Sequence, residues 1–299
     1  MAVRSTTRTW REVLTRLPAV LLAAALVAAG STSAHAAPPD GAGKPDRGRD
    51  AYVALGDSFA SGNGTGVPDL DPGCYRSSLA YAPLVSGARF DTSLTFAACS
   101  GATTQTFVDT QVDVLDRQTD FVTFSVGGND LGFATLVGVC VGGTEPQCLA
   151  AAAQAEAFVR TVLPGRLDAA YDAVRDRVRK AEVVVVGYPR FFAENYVPCQ
   201  QSQGITATEA AVLNDLADAL DVVVADRARA AGFTYVSVVD AFTGHDMCAA
   251  EPWINGVLVP TPADAYHPTA AGHRDGYAPL VAEQLTKRRP SVSMVPHGT

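Results

Sequence analysis

The chain has 299 residues, of which 47% are hydrophobic and 18% charged, and its formal net charge is -8. This length suits one large domain or two small ones, and no internal repeat or interior linker favours two. The acidic balance excludes nucleic-acid binding and docking on anionic lipid as leading functions, because both need clustered Lys and Arg.

The first 36 residues have the pattern of an export signal. Four Arg precede an apolar run over residues 17–29, and Ala34-His35-Ala36 is a small-x-small cleavage site. A membrane anchor is the alternative, but the run is shorter than the roughly 20 residues that span a bilayer. We predict a signal peptide over residues 1–36 and a secreted, extracellular mature chain without stable membrane insertion. Cleavage of the signal peptide removes four Arg and one Glu and changes the formal net charge to -11.

The remaining chain is predicted to hold a flexible leader over residues 37–49, a single domain over 50–287 and a loose tail over 288–299. Five short apolar runs lack the polar alternation of half-exposed strands, which indicates buried parallel strands. They are residues 52–55, 94–97, 121–126, 183–186 and 233–239.

Helical patterns separate these runs. A Thr-x-x-Glu capping box at Thr206 and Glu209 begins one helix, and Gly232 is a plausible end for it. Another helix is predicted over residues 148–179, where Pro164 must kink it or split it in two. The alternation predicts a doubly wound α/β sheet, whose ligands bind outside the carboxyl ends of its strands.

Three polar loops begin where predicted strands end. The first strand runs into Gly56-Asp57-Ser58, which presents a serine hydroxyl at the sheet edge. The second and third lead to Cys99-Ser100-Gly101-Ala102 and Gly127-Gly128-Asn129-Asp130, which offer the Gly101 N–H and the Asn129 amide to an oxyanion. Asp57 and Asp130 are interpreted as hydrogen-bond braces.

A serine nucleophile needs a base. Near the end of the chain, Asp264-Ala265-Tyr266-His267-Pro268 has a carboxylate three residues before an imidazole. Asp264 can hold one ring nitrogen of His267 while the other faces Ser58. Asp240 is the only rival acid.

Six cysteines follow the predicted signal peptide, at positions 74, 99, 140, 148, 199 and 248. An even count in an exported chain indicates disulfides, but spacing alone does not choose among the possible pairings. A zinc site is the alternative, yet the chain has no C-x2-C pair. No metal and no cofactor is expected.

Four sequence features resemble, in order along the chain, the motifs of the SGNH (GDSL-type) hydrolases. They are Gly56-Asp57-Ser58, Gly101, Gly-Gly-Asn129-Asp and Asp264-x-x-His267-Pro268. The extended block Gly-Asp-Ser-Phe-Ala-Ser-Gly and the six cysteines resemble the secreted lipases and esterases of actinomycetes. The resemblance implies a flavodoxin-like sheet and catalytic Ser58 and His267, with Asp264 as the partner of His267. It also implies an oxyanion hole from Ser58, Gly101 and Asn129.

The resemblance further implies sequential disulfides, Cys74-Cys99, Cys140-Cys148 and Cys199-Cys248. Some members of this subgroup lack the acid and orient the histidine with a backbone carbonyl, whereas this sequence has Asp264, so a full triad is expected.

Nearby motifs are excluded by residue type. The α/β-hydrolase elbow needs Gly at position 60, which is Ala, and the Gly62-Asn63-Gly64 run lacks the Lys of a phosphate loop. The expected activity is hydrolysis of small-molecule or lipid esters by a monomer. An O-acetyl esterase acting on polysaccharide and a catalytically silent secreted binding module remain as alternatives.

Overall fold

A computed structural model of the chain describes residues 50–89 and 92–286. The predicted signal peptide over residues 1–36, the leader over 37–49 and the tail over 288–299 lie outside the described residues.

Five strands form one parallel sheet in the order β2-β1-β3-β4-β5. Their bounds are β1 Asp50–Ala54, β2 Thr92–Phe96, β3 Phe121–Phe124, β4 Glu182–Val186 and β5 Thr234–Val236. All four residues of β3 are buried, as expected for a strand with both faces covered. The predicted doubly wound α/β sheet is confirmed, and its strand order is the flavodoxin-like one.

The last strand is shorter than the run over residues 233–239 that predicted it. Its one neighbour in the sheet, β4, ends at Val186, which lies opposite Val236. Beyond Val236 the chain has no strand to pair with and folds into turns, although Val238 remains fully buried. Burial of the apolar run therefore extends beyond the residues that pair as a strand.

Eight α-helices occur in the described part of the chain. They are α1 Ser58–Ser61, α2 Tyr81–Ala88, α3 Thr104–Thr110, α4 Phe133–Gly142, α5 Glu145–Thr161, α6 Leu163–Arg177, α7 Ala207–Ala230 and α8 Ala278–Thr286. Short 3-10 segments occur at Val112–Val114, Gln200–Ser202 and Pro262–Asp264, and a π-helical segment at Gly272–Tyr277 leads into α8.

The handedness of the crossovers between parallel strands assigns the helices to two layers. The chain moves one way across the sheet from β1 to β2 and the other way from β2 to β3, β4 and β5. Right-handed crossovers therefore put α2 on one face and α3, α6 and α7 on the other. Contacts agree, since α2 packs on α8 while α6 packs on both α3 and α7.

Two predicted helix boundaries are confirmed. The Thr206 hydroxyl accepts a hydrogen bond from the Glu209 N–H at 3.2 Å, and the Glu209 carboxylate accepts one from the Thr206 N–H at 2.8 Å. The predicted helix around Pro164 is split in two, because α5 ends at Thr161 and Pro164 lies in the first turn of α6, where its missing N–H costs no helical bond.

One connected hydrophobic core includes the sheet and both helix layers. In the described part of the chain, no helix is both long and apolar enough to cross a membrane. Three disulfides lie around this core: Cys74–Cys99 and Cys199–Cys248 join loops, and Cys140–Cys148 joins α4 to α5. They are the three pairs that the resemblance implies.

Candidate active site

The turn after β1 holds Ser58 in a fixed position. Gly56 has a φ of +124°, and a Cβ there would lie 2.6 Å from the carbonyl oxygen of Ser125, so only glycine fits. The Gln111 side chain binds both the N–H and the carbonyl of Gly56, at 2.7 and 2.9 Å. Asp57 caps α1 by accepting a hydrogen bond from the Phe59 N–H at 3.0 Å. Ser58 therefore begins a helix at the carboxyl edge of the sheet.

Ser58 and His267 are brought together although they are 209 residues apart. The Nε2 atom of His267 lies 2.8 Å from the Oγ atom of Ser58, within the range for proton transfer from a nucleophile to its base. The Phe59 ring packs over the imidazole with centroids 5.2 Å apart. Burial of the imidazole lowers the pKa of His267 to about 4, and the hydrogen bond to the Ala265 carbonyl opposes this shift.

The second ring nitrogen of His267 does not face Asp264 as predicted. Its Nδ1 atom lies 2.9 Å from the carbonyl oxygen of Ala265. The Asp264 carboxylate instead accepts a hydrogen bond from the Gly64 N–H at 3.0 Å and is buried. The expected contact between Asp264 and His267 is therefore absent from this structure, because the carboxylate is bound by the backbone of the glycine-rich loop after α1. Asp240, the rival acid, is solvent-exposed in the turns after β5.

The two predicted oxyanion loops lie beside Ser58. Gly101 is solvent-exposed with a φ of +82°. Among the described residues, the N–H groups of Ser58 and Gly101 have no hydrogen-bond acceptor. The Asn129 amide donates one hydrogen to the Ala102 carbonyl at 3.0 Å, which leaves its second N–H available. This set of donors can stabilise negative charge on a substrate oxygen.

Asn63 connects the oxyanion loop to the histidine loop. Its side-chain amide donates to the Ser100 hydroxyl at 3.2 Å and to the Ala263 carbonyl at 3.1 Å, and the residue is buried. Asn255 makes a second connection, from its amide to the Gly64 carbonyl at 2.7 Å. The loop after α1 is thus bound to both neighbouring loops.

Two aspartates brace the site, as interpreted from the sequence. Asp130 accepts hydrogen bonds from the N–H and hydroxyl of Thr104, at 2.8 and 2.6 Å, which joins the β3 loop to α3. Asp57 accepts a hydrogen bond from the Tyr188 hydroxyl at 2.5 Å. Burial raises the pKa of Asp57 to about 7, and the hydrogen bonds from Tyr188 and Phe59 lower it in part.

An apolar groove, partly open to solvent, begins at Ser58 and Asn129. Its walls include Phe59, Leu131, Phe133, Leu136, Tyr188, Phe191, Leu213, Leu216, Ala217 and Leu220. The last four are spaced i, i+3, i+4 and i+7 on α7, so they form one helix face. Its walls offer an apolar surface to a hydrocarbon chain next to the Ser58 hydroxyl.

Sequence reasoning missed Gln111, Asn63, Asn255 and Tyr188. Each acts on a partner distant in sequence, at separations of 55, 200, 191 and 131 residues for the contacts described. Tyr188 alone carried a local signal, since it follows a predicted strand, β4, in the same way that the three polar loops follow theirs. No ligating cluster of His, Cys, Asp and Glu occurs among the described residues.

A flavodoxin-like parallel sheet with a Ser-His pair at the carboxyl ends of its strands defines a hydrolase of the SGNH class. Residues 54–274 match the GDSL-like Lipase/Acylhydrolase family, and the chain belongs to that family. It is a serine ester hydrolase.

Streptomyces proteins are similar over most of the chain. Lipase 1 of Streptomyces coelicolor is 41% identical over 266 residues, which cover 89% of this chain and 95% of the relative. The crystal structure of an extracellular lipase from Streptomyces rimosus superimposes with a TM-score of 0.75 at 38% identity. That of phospholipase A1 from Streptomyces albidoflavus NA297 gives 0.75 at 40% identity. Both comparisons cover 79% of this chain and 99% of the other.

Proposed function

We propose that this chain is a secreted lipase that hydrolyses lipid acyl esters, with Ser58 as nucleophile and His267 as base. The observation that carries the proposal is the 2.8 Å contact between the Ser58 hydroxyl and His267 Nε2 at one end of the apolar groove. A nucleophile activated in this way beside a hydrocarbon-binding groove suits an ester with a long acyl chain.

The reaction follows from these positions. Ser58 Oγ attacks the ester carbonyl carbon while its proton passes to His267 Nε2, and negative charge collects on the carbonyl oxygen. His267 then gives that proton to the leaving alcohol as the C–O bond breaks, and an acyl-Ser58 intermediate remains. Water attacks the acyl carbon with His267 again as base, which releases the fatty acid and restores Ser58. These steps use side chains, backbone amides and water.

We assign stabilisation of the oxyanion to the N–H groups of Ser58 and Gly101 and to the amide of Asn129. Two of these donors lack an acceptor among the described residues, and Asn129 has one N–H to spare. The orienting role on His267 goes to the Ala265 carbonyl, so the catalytic unit is a Ser-His dyad. Asp264 is assigned to bracing the Gly64 loop.

The groove supports lipid esters over short acyl esters. An acetyl group would leave nearly all of the groove walls unused, whereas each buried methylene contributes about 0.8 kcal/mol. The names of the relatives, which include lipases and a phospholipase A1, point the same way. Secretion is supported by the export pattern over residues 1–36 and by three disulfides, which persist in oxidising compartments.

An acyl nitrophenyl ester series from acetyl to palmitoyl tests the function, measured with wild type, Ser58→Ala and Ser61→Ala. Ser61 is a buried serine of the same helix, so Ser61→Ala is the matched control. We expect wild-type kcat/KM to rise with chain length and Ser58→Ala to lose nearly all turnover while Ser61→Ala keeps it. Activity on acetyl alone would favour the O-acetyl esterase, and no activity on any ester would favour the binding module.

Export needs a separate measurement. The protein recovered from the medium of an actinomycete host should begin at Ala37, as read by N-terminal sequencing. Retention of residues 1–36 on a cell-bound protein would contradict cleavage and favour an anchor.

A further inference from the structure

The hydroxyl of Tyr188 connects the exits of three adjacent strands. Tyr188 is the second residue after β4, and it is almost fully buried. Its hydroxyl donates to Asp57 Oδ2 at 2.5 Å, at the exit of β1. The same oxygen accepts a hydrogen bond from the Gly128 N–H at 3.3 Å, at the exit of β3. One oxygen atom therefore bridges β1 and β3 from β4.

Both partners of this hydroxyl immediately precede a group that the proposed reaction uses. Asp57 precedes Ser58, the proposed nucleophile, and Gly128 precedes Asn129, the proposed oxyanion donor. β1 and β3 lie side by side where the strand order reverses, which is the point at which ligands bind in such sheets. The Tyr188 hydroxyl therefore joins the loop of the nucleophile to the loop of the Asn129 amide from a position outside both loops.

We propose that Tyr188 is a positioning residue whose hydroxyl sets the position of Ser58 relative to Asn129, so that the tetrahedral oxyanion forms within reach of the amide. The inference rests on the proposed function, because it gives a role to Tyr188 only through Ser58 and Asn129. It concerns the hydroxyl alone.

The aromatic ring of Tyr188 has a role separate from that of its hydroxyl. It contacts the edge of Phe59 with centroids 5.1 Å apart and forms one wall of the groove. Tyr188→Phe keeps this ring and removes only the bridge. The bond from the hydroxyl also lowers the pKa of buried Asp57, and therefore favours the charged carboxylate that accepts the Phe59 N–H.

A positioning role and a groove-lining role for Tyr188 differ in whether kcat or KM changes, and in whether the loss depends on acyl chain length. Tyr188→Phe should lower kcat on the order of 10-fold, less than the roughly 10²-fold loss that a 1 Å misplacement can cause. KM should stay within about twofold, and the loss in kcat should be equal for butyryl and decanoyl nitrophenyl esters, because the groove wall is unchanged. The matched control is Tyr235→Phe, which removes another tyrosine hydroxyl bonded to a carboxylate, that of Asp221, and should keep wild-type kcat.

A double-mutant cycle tests whether the Tyr188 hydroxyl acts on kcat through the Asn129 amide. If Tyr188 acts through the Asn129 amide, Tyr188→Phe should cost clearly less in an Asn129→Ala background than in wild type. Asp57→Asn gives a second variant, since Asn also caps helices but accepts the Tyr188 bond without charge. It should lower kcat, and combining it with Tyr188→Phe should add little. Thermal unfolding of each variant establishes that folded proteins are compared.

Wild-type kcat in folded Tyr188→Phe would overturn the inference, whatever Asp57→Asn does. So would a loss confined to long acyl chains, which would make Tyr188 a groove residue, or the same fold-loss with and without Asn129. A different result separates the two proposals: if Ser58→Ala and Asn129→Ala keep turnover, the proposed function itself fails, whatever Tyr188→Phe does.

Discussion

His267 Nδ1 lies 2.9 Å from the carbonyl oxygen of Ala265, two residues earlier in the same loop. A carbonyl can only accept, so this contact places the imidazole proton on Nδ1 and leaves Nε2 free to accept the proton of Ser58. The tautomer is thus set by backbone, and the Asp264 carboxylate is not needed for it.

Replacement of Asp264 tests whether the base has a carboxylate partner. Asp264→Asn keeps an acceptor oxygen for the Gly64 N–H, so we expect kcat within about tenfold of wild type. In a serine protease whose triad Asp becomes Asn, the loss is about 10^4. Asp264→Ala leaves the buried Gly64 N–H unpaired and should lower the free energy of unfolding by about 1 to 3 kcal/mol.

The measurements are kcat on a soluble ester and urea unfolding of both variants. His267→Ala provides the reference for loss of the base. If Asp264→Asn lost activity on the scale of His267→Ala while remaining folded, the carboxylate would have to turn towards His267 during catalysis.

The pH dependence gives an independent test. Burial lowers the pKa of His267 to about 4, whereas free imidazole titrates near 6.5. A lowered pKa keeps the imidazole neutral, and able to accept a proton, to lower pH. Because the ring is still partly exposed in the cleft, we expect the acidic limb of kcat/KM between about 4 and 6.5. A limb above 6.5 would indicate a carboxylate at Nδ1.

Most of the fold could be predicted because its signals are local. Runs such as residues 183–186 are short and apolar throughout, which is typical of a parallel strand covered on both faces. The pair of hydrogen bonds between Thr206 and Glu209 spans only three residues. The end of β5 could not be predicted, because it depends on where the neighbouring strand β4 ends. Strand ends are set by pairing partners and not by the residues themselves.

In the candidate site, too, features with local signals could be predicted, and features set by distant partners could not. Strand exits brought Ser58, Gly101 and Asn129 to one sheet edge, as the sequence predicted. A three-residue spacing puts Asp264 and His267 in one loop, but it does not determine which way the carboxylate points. Its partner, the Gly64 N–H, is 200 residues away. Tyr188 was missed for the same reason, since both its partners lie on other strands.

Asn129 is expected to act only when negative charge develops on the substrate oxygen. Asn129→Ala should therefore lower kcat by roughly 10² to 10³ and change KM little. Asn129→Asp should be at least as poor, because it puts an acceptor against the oxyanion. Steady-state kinetics on one soluble ester separates the two constants. A raised KM with normal kcat would show that Asn129 binds the substrate ground state instead.

The disulfides should differ in what they contribute to stability. Their sequence separations are 8 for Cys140–Cys148, 25 for Cys74–Cys99 and 49 for Cys199–Cys248. Loop-closure entropy predicts losses of about 2.5, 3.5 and 4 kcal/mol in that order when each pair is changed to Ala. Urea unfolding of the three double variants gives the ranking. An inverted order would mean that local packing outweighs loop length.

The groove should set acyl chain preference through α7. Leu213, Leu216, Ala217 and Leu220 share one face of that helix, and Ala217 has the smallest side chain of the four. Each methylene buried in the groove contributes about 0.8 kcal/mol, which is roughly a fourfold gain in kcat/KM per carbon until the groove is full.

A larger side chain at position 217 should end that gain at a shorter acyl chain. Ala217→Phe is expected to lower kcat/KM for decanoyl esters at least about tenfold, the equivalent of about two methylenes at 0.8 kcal/mol each, while acetyl and butyryl esters react as in wild type. Val222→Phe adds the same ring at a position of α7 that is 56% exposed, so it should leave every chain length unchanged. An equal loss on all esters would mean that the ring introduced by Ala217→Phe disturbs Ser58 or the fold. An unchanged chain preference in folded Ala217→Phe would place the acyl chain outside the groove.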